Sequence, residues 1–216
     1  MHVLIINGSP RIQKLSNTDK IIHSLIKGME QEEKDLTYEL YSVSDRKQWK
    51  DAGEAFARND EILIALPLYV ECIPGLLLEF LSTLDKKEEG RISFVLQSGF
   101  AEASQLRCGE GFLKRLPAML GCEYGGTLIK GDNFSIRFNT AENNEKILNP
   151  YEKMGASYLR NNGFESDEAK AFAGPEYFPR HIRIILGFVF SVFVSKVFNK
   201  TAKGLGCTKP LDYRPY

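Results

Sequence analysis

Three short runs without charge, Val3–Ile6, Ile62–Leu66 and Ile92–Leu96, recur along the chain between stretches of different periodicity. Continuous apolar runs of this length suit parallel strands buried on both faces. Each run stops at residues that turn the chain: Asn7-Gly8-Ser9-Pro10, then Pro67 to Gly75, then Ser98-Gly99. After each stop the spacing changes to that of a helix. Ile21, Ile22, Leu25, Ile26 and Met29 form a stripe that predicts a helix from about Asn17 to Gln31. Ser16 precedes it as an N-cap, with Asp19 three residues on as a capping-box partner.

The intervening segments complete the alternation. Leu36 to Val43 reads as a strand with one wetter face, and Trp49 to Arg58 as a short helix. Further helices are expected over Leu76–Leu84, over Phe112–Leu120 with an internal proline, and over Glu142–Asn162 with Ile147, Leu148, Met154 and Leu159 facing inward. Tyr124 to Gly131 is the fifth strand, and its Gly125-Gly126 pair suits close backbone packing. Five strands alternating with helices give the α/β class with right-handed crossovers and a doubly wound five-stranded parallel sheet. Residues 1–165 form that domain and 166–216 a C-terminal helical extension, packed on the domain or in a subunit interface.

The tail differs in kind. Ile184 to Val194 carries no charge and has apolar residues at nearly every position, flanked by Arg180, Arg183, Lys196, Lys200 and Lys203. It is far shorter than the roughly twenty residues of a membrane span. A helix in a homodimer interface is the first expectation, and peripheral contact of 180–203 with an anionic membrane surface the second.

Charge and cysteine content narrow the function. Formal net charge is zero, which gives no global case for nucleic acid and fits poorly with an acidic electron-carrier surface. Cys72, Cys108, Cys122 and Cys207 show no close pairing, and three scattered histidines make no ligand cluster. Reduced thiols are expected. Met1 leads straight into the first strand, so no signal peptide is expected and the default compartment is the cytoplasm.

The first loop carries the most specific chemistry. A buried strand, a small-residue turn and a capped helix place uncommitted N–H groups and the positive end of a helix dipole together, an arrangement disposed to hold a phosphate. Ser9, Ser16, Asn17 and Thr18 offer hydroxyl and amide donors and Arg11 a planar charged fork. The bland alternative is that these residues only cap a helix. Neither a nucleoside-triphosphate P-loop nor Gly-x-Gly-x-x-Gly is present. The loop ends after the second and third apolar strands should share a rim with the first, because open parallel sheets bind ligands at the C-terminal ends of their strands.

Gly8-Ser9-Pro10-Arg11 followed by Ser16-Asn17-Thr18 resembles the phosphate loop of the flavodoxin-like NAD(P)H-dependent FMN reductases and quinone reductases. The resemblance covers roughly the first 130 residues and implies FMN, bound non-covalently. In that family the loop matching Pro67, Leu68, Tyr69 and Val70 runs beside the flavin ring, and Ser98, Gly99, Phe100, Glu102 and Gln105 match residues lining its other edge. Ala101 stands where many relatives have proline. On the residues alone, Tyr69 equally suits packing over the core edge, and Glu102 a first-turn acid favoured by the helix dipole.

The implied activity is hydride transfer from NADPH or NADH to FMN and then to a small acceptor: a quinone, a nitro or azo compound, or free flavin. Such chemistry requires no side-chain acid, base or nucleophile, so no catalytic residue is assigned, and backbone N–H groups of Ser98 to Phe100 are candidates for stabilising the reduced ring. The alternatives are a flavodoxin-like carrier serving a protein partner, and a scaffold that binds no flavin and uses its tail for assembly or membrane contact.

Overall fold

The computed structural model describes residues 1–204, 206–209, 213 and 214. Five parallel strands form one sheet in the order β2-β1-β3-β4-β5, with β1 His2–Asn7, β2 Thr37–Ser42, β3 Glu61–Pro67, β4 Arg91–Gln97 and β5 Glu123–Lys130. β1, β3 and β4 are almost wholly buried, as their uncharged runs require. β2 lies at the edge and is only partly covered. Alternate side chains of each strand serve opposite layers. Leu4 and Ile6 point to a layer shared with α2 (Trp49–Arg58), α3 (Gly75–Leu81) and α4 (Arg107–Leu113), whereas Val3 and Ile5 point to α1 (Asn17–Glu32) and α6 (Ala141–Asn161).

The stripe expected on α1 is buried as a row, and Ser16 caps the helix by accepting from the Asp19 N–H at 3.2 Å. The box is not reciprocated. Asp19 is too short to reach back easily to the cap, and its Oδ1 instead accepts from Asn7 Nδ2 at 3.3 Å, tying the helix to the end of β1. The helix expected over Phe112–Leu120 is two: α4 ends at Leu113 and a single turn, α5 (Leu116–Met119), follows with Pro117 in its first turn. Proline has no N–H and its ring crowds the preceding turn, so it begins a helix more readily than it continues one. On α6, Met154 is buried and Ile147, Leu148 and Leu159 are partly so, but the largest buried side chains are Tyr151 and Tyr158.

In β5 the register against β4 slips between Ile92 and Phe94, so Gly125 and Gly126 make a bulge. A Cβ on Gly126 would stand 2.5 Å from the Phe164 carbonyl carbon, and the residue has φ +93°, so close backbone approach is its reason for being there. The short α7 (Asp167–Phe172) follows. Contacts divide the chain into Met1–Glu176 and Tyr177–Tyr216. The second unit carries α8 (Arg180–Val189), a π-helical turn over Phe190–Val194, and α9 (Ser195–Gly204), consecutive with no loop between them. Leu205, Pro210, Leu211, Asp212, Pro215 and Tyr216 lie outside the described residues.

Candidate functional site

The C-terminal ends of four strands form one rim, and the backbone continues each ladder a residue past the strand. The N–H groups of Gly8, Leu68 and Ser98 donate to the carbonyls of Ala65, Gln97 and Lys130 at 2.8, 2.8 and 3.1 Å. The loops after β1, β3 and β4 therefore start side by side. Gly8 is held so tightly that a Cβ would meet Leu77 Cδ2 at 2.8 Å and Ala65 O at 3.2 Å.

In the first loop the polar groups sort into used and unused ones. Asn7 Oδ1 accepts from the Ser9 N–H at 3.1 Å, and the buried Ser9 hydroxyl accepts from the Arg11 N–H at 3.3 Å. Ser9 and Ser16 thus spend a lone pair inside the loop and keep their O–H groups as donors. Backbone N–H groups of Asn17 and Thr18, in the first turn of α1, have no acceptor among the described residues, as expected of a helix start. The Arg11 guanidinium is exposed and makes no ion pair or hydrogen bond among the described residues. One candidate side chain is committed elsewhere: Asn17 Nδ2 donates to Asn133 O at 2.9 Å, whereas the Thr18 hydroxyl accepts from Gln97 Nε2 at 3.3 Å and, like Ser9 and Ser16, keeps its O–H as a donor.

The loop after β3 folds back on itself. Tyr69 and Cys72 exchange both backbone hydrogen bonds at 3.0 Å around Val70 and Glu71, whose φ values are +47° and +67°. This is a two-residue turn of the type that favours Asn-Gly, built here from a β-branched and a long side chain at a torsional cost. It leaves Val70 79% and Tyr69 41% exposed. Pro67 and Leu68 are buried. Leu68 turns into the core, where Gly109 makes room: a Cβ there would stand 2.8 Å from Leu68 Cδ1.

After β4, the buried Ser98 accepts at Oγ from the Phe100 N–H at 3.0 Å. Of the three N–H groups expected to face a ring, those of Ser98 and Phe100 are thus taken, and Gly99 N–H is the one without an acceptor among the described residues. Phe100 is 55% exposed; Glu102 and Gln105 are partly so, with the Gln105 N–H donating to Glu102 O at 3.2 Å.

A fourth loop, after β5, which the sequence motifs did not single out, joins the loop after β4 to the start of α1. Asp132 N–H donates to Phe100 O, and Asn133 N–H to Ser98 O, both at 3.0 Å. The buried Asn133 also donates through Nδ2 to Lys130 O and Gly131 O and accepts at Oδ1 from the Tyr151 hydroxyl. Burial pushes that phenol far up, with the Asn133 contact opposing the rise. Beyond Asn133, Phe134 and Phe138 stand exposed with ring centres 5.3 Å apart. The only available signal was Gly131-Asp132-Asn133, a turn-like trio after an apolar strand. A cavity of about 500 Å³ lies at the opposite edge, between α2 and residues 83–89, and includes none of these groups.

Among solved structures, an FMN-dependent NADH-azoreductase from Bacillus anthracis, in complex with FMN, superposes with a TM-score of 0.54 at 15% identity, covering 74% of this chain and 99% of its own. The fold is flavodoxin-like. An NAD(P)H:quinone oxidoreductase from Methanothermobacter marburgensis shares that flavodoxin-like fold at 14% identity, covering 74% of this chain and 98% of its own with a TM-score of 0.54. The apo form of an NADH:FMN oxidoreductase does so at 14% identity and a TM-score of 0.56, covering 84% of this chain and 98% of its own. No family model matches the chain, and no curated protein matches it. At these identities the likeness establishes the flavodoxin-like fold and, with it, a structural similarity to FMN-dependent NAD(P)H reductases.

The residues present suit a phosphorylated, hydroxyl-bearing ligand. Anion donors stand uncommitted at the first loop, and the buried Asn17 Oδ1 at the start of α1 has no partner among the described residues. A ligand hydroxyl would satisfy it.

Proposed function

We propose that this rim binds FMN non-covalently and that the protein is an FMN-dependent NAD(P)H oxidoreductase, passing electrons from NADH or NADPH to a small acceptor such as a quinone, a nitro or azo compound, or free flavin. The observation that carries the reading is the set of anion donors at the start of α1 with no acceptor among the described residues: the Asn17 and Thr18 N–H groups, the Ser9 and Ser16 hydroxyls and the exposed Arg11 guanidinium. FMN, when bound, supplies the hydride-accepting chemistry that no side chain here provides.

The chain's own residues then bind, orient and shield. Arg11 adds a mobile charge to fixed backbone donors, and Asn7 holds the loop that presents them. Tyr69 and Phe100, exposed on the loops after β3 and β4, offer flat faces to a ring. Gly99 N–H is the donor available to a ring carbonyl. Zero net charge favours a small acceptor over the acidic docking surface of a protein-to-protein carrier.

The test is an FMN titration followed by anaerobic addition of NADPH, with NADH in parallel. FMN should bind and its absorption should bleach under at least one of the two. Arg11→Ala should weaken FMN binding about tenfold, the worth of a charge-assisted contact. Protein that takes up no FMN would overturn the proposal, and uptake with negligible direct oxidation of either nucleotide would favour a carrier.

A further inference from the structure

From α8 through the π-helical turn to α9, 25 consecutive residues are helical, Arg180 to Gly204. Ile184, Ile185, Phe188, Phe193, Val197 and Phe198 are exposed along them, Phe188 by 67% and Phe193 by 62%. Ala202 is the one buried residue described between Tyr177 and Lys209. A helix so apolar is stabilised in water chiefly by burying its apolar side chains, and these six remain exposed.

The charge around them says what covers them. Residues 177–209 hold six Lys or Arg, with His181, and no Asp or Glu. Arg180, His181 and Arg183 crowd one end of the apolar stretch; Lys196, Lys200 and Lys203 crowd the other. Pairing this helix with its copy, parallel or antiparallel, sets cation against cation at both ends. A surface that is apolar and anionic is complementary.

We propose that residues 180–204 lie in the plane of a bilayer surface bearing anionic phospholipids. Arg183 and Lys196 are thirteen residues apart, about 20 Å of helix, against a hydrocarbon core about 30 Å thick. Upright, the helix would have to bury one cationic cluster; lying flat, it keeps both among the headgroups. None of the described helices is long and apolar enough to cross a membrane. The lysine stems extend the apolar strip while their ammonium groups stay in the headgroup layer, and the π turn changes the angular spacing so that Phe193 and Val197 add to the exposed surface.

Vesicle flotation of the full chain tests this without any flavin. Vesicles of phosphatidylcholine containing about one-third phosphatidylglycerol should carry the protein, pure phosphatidylcholine should carry far less, and high salt should release it. Replacing Lys196, Lys200 and Lys203 by Gln should weaken binding about a hundredfold, since each surface cation contributes about fivefold. Phe188→Ser with Phe193→Ser should abolish it. The Phe positions are exposed, so urea unfolding of that variant should match the parent and exclude misfolding. Failure to float with anionic vesicles overturns the proposal. So does a solution dimer that the Phe188/Phe193 double variant converts to monomer, which would assign this face to a second copy.

Discussion

Asn17 Nδ2 donates to the main-chain oxygen of Asn133 at 2.9 Å, joining the first turn of α1 to the loop after β5 across 116 positions of sequence. The Asn133 main-chain N–H donates in turn to Ser98 O, so the main chain at this buried residue joins three of the rim loops, while its side-chain amide closes its own loop on Lys130 O and Gly131 O and accepts from the Tyr151 hydroxyl.

Asn133→Ala should therefore cost about 3 kcal/mol, because it removes three side-chain hydrogen bonds and leaves the buried Tyr151 hydroxyl unpaired. For a chain of this size that lowers Tm by roughly 6–12 °C. Thermal unfolding without ligand measures it, and an unchanged Tm would show that the network contributes little.

The α1–α6 contact depends on two glycines. A Cβ on Gly28 would fall 1.7 Å from Glu152 O, and one on Gly155 2.0 Å from Leu25 O. Because the obstacle is backbone, Gly155→Ala should destabilise by about 3 kcal/mol, the upper end for overpacking. Gly53→Ala is the contrasting case. Within α2 its new methyl meets only Leu84 Cδ2 at 3.7 Å, so that substitution should stabilise by about 0.5–1 kcal/mol. Urea midpoints moving in opposite directions would confirm both.

Glu61 pairs across the sheet with Arg91, yet burial pushes its carboxyl above the ordinary range, Arg91 at 3.9 Å offsetting part of the rise and Asp60 and Glu123 adding to it. A carboxyl whose folded-state pKa is raised binds more protons folded than unfolded between the two values. Stability from this group therefore falls as pH rises through that window and stays lower above it. Glu61→Gln should raise the urea midpoint at pH near 8, and the gain should vanish below pH about 4, where both states carry the neutral acid. A less stable variant at the higher pH would mean the Arg91 pair outweighs burial.

The turn at Val70-Glu71 holds two residues at positive φ. Val70→Asn with Glu71→Gly places the favoured pair there and should stabilise by about 1–2 kcal/mol in unfolding measurements. FMN titration of the same variant reports whether the strained turn sets the position of Tyr69: weaker binding by a more stable protein would say that it does.

Much of the layout was legible in the order of residues. The uncharged runs ending at Asn7, Pro67 and Gln97 became neighbouring buried strands, and Ser16 caps α1 as its position before the stripe implied. These features are local: the two- and 3.6-residue periods and the turn chemistry that express them act within a few positions of the chain. Asn133, the Gly28 and Gly155 crossing, the turning-in of Leu68 beside Gly109 and the diversion of the Asn17 amide were decided by the tertiary structure. Each depends on a group distant in sequence coming within hydrogen-bonding or van der Waals reach. Which polar atoms are spent inside the fold, and which remain free for a ligand, follows only once those neighbours have met in space.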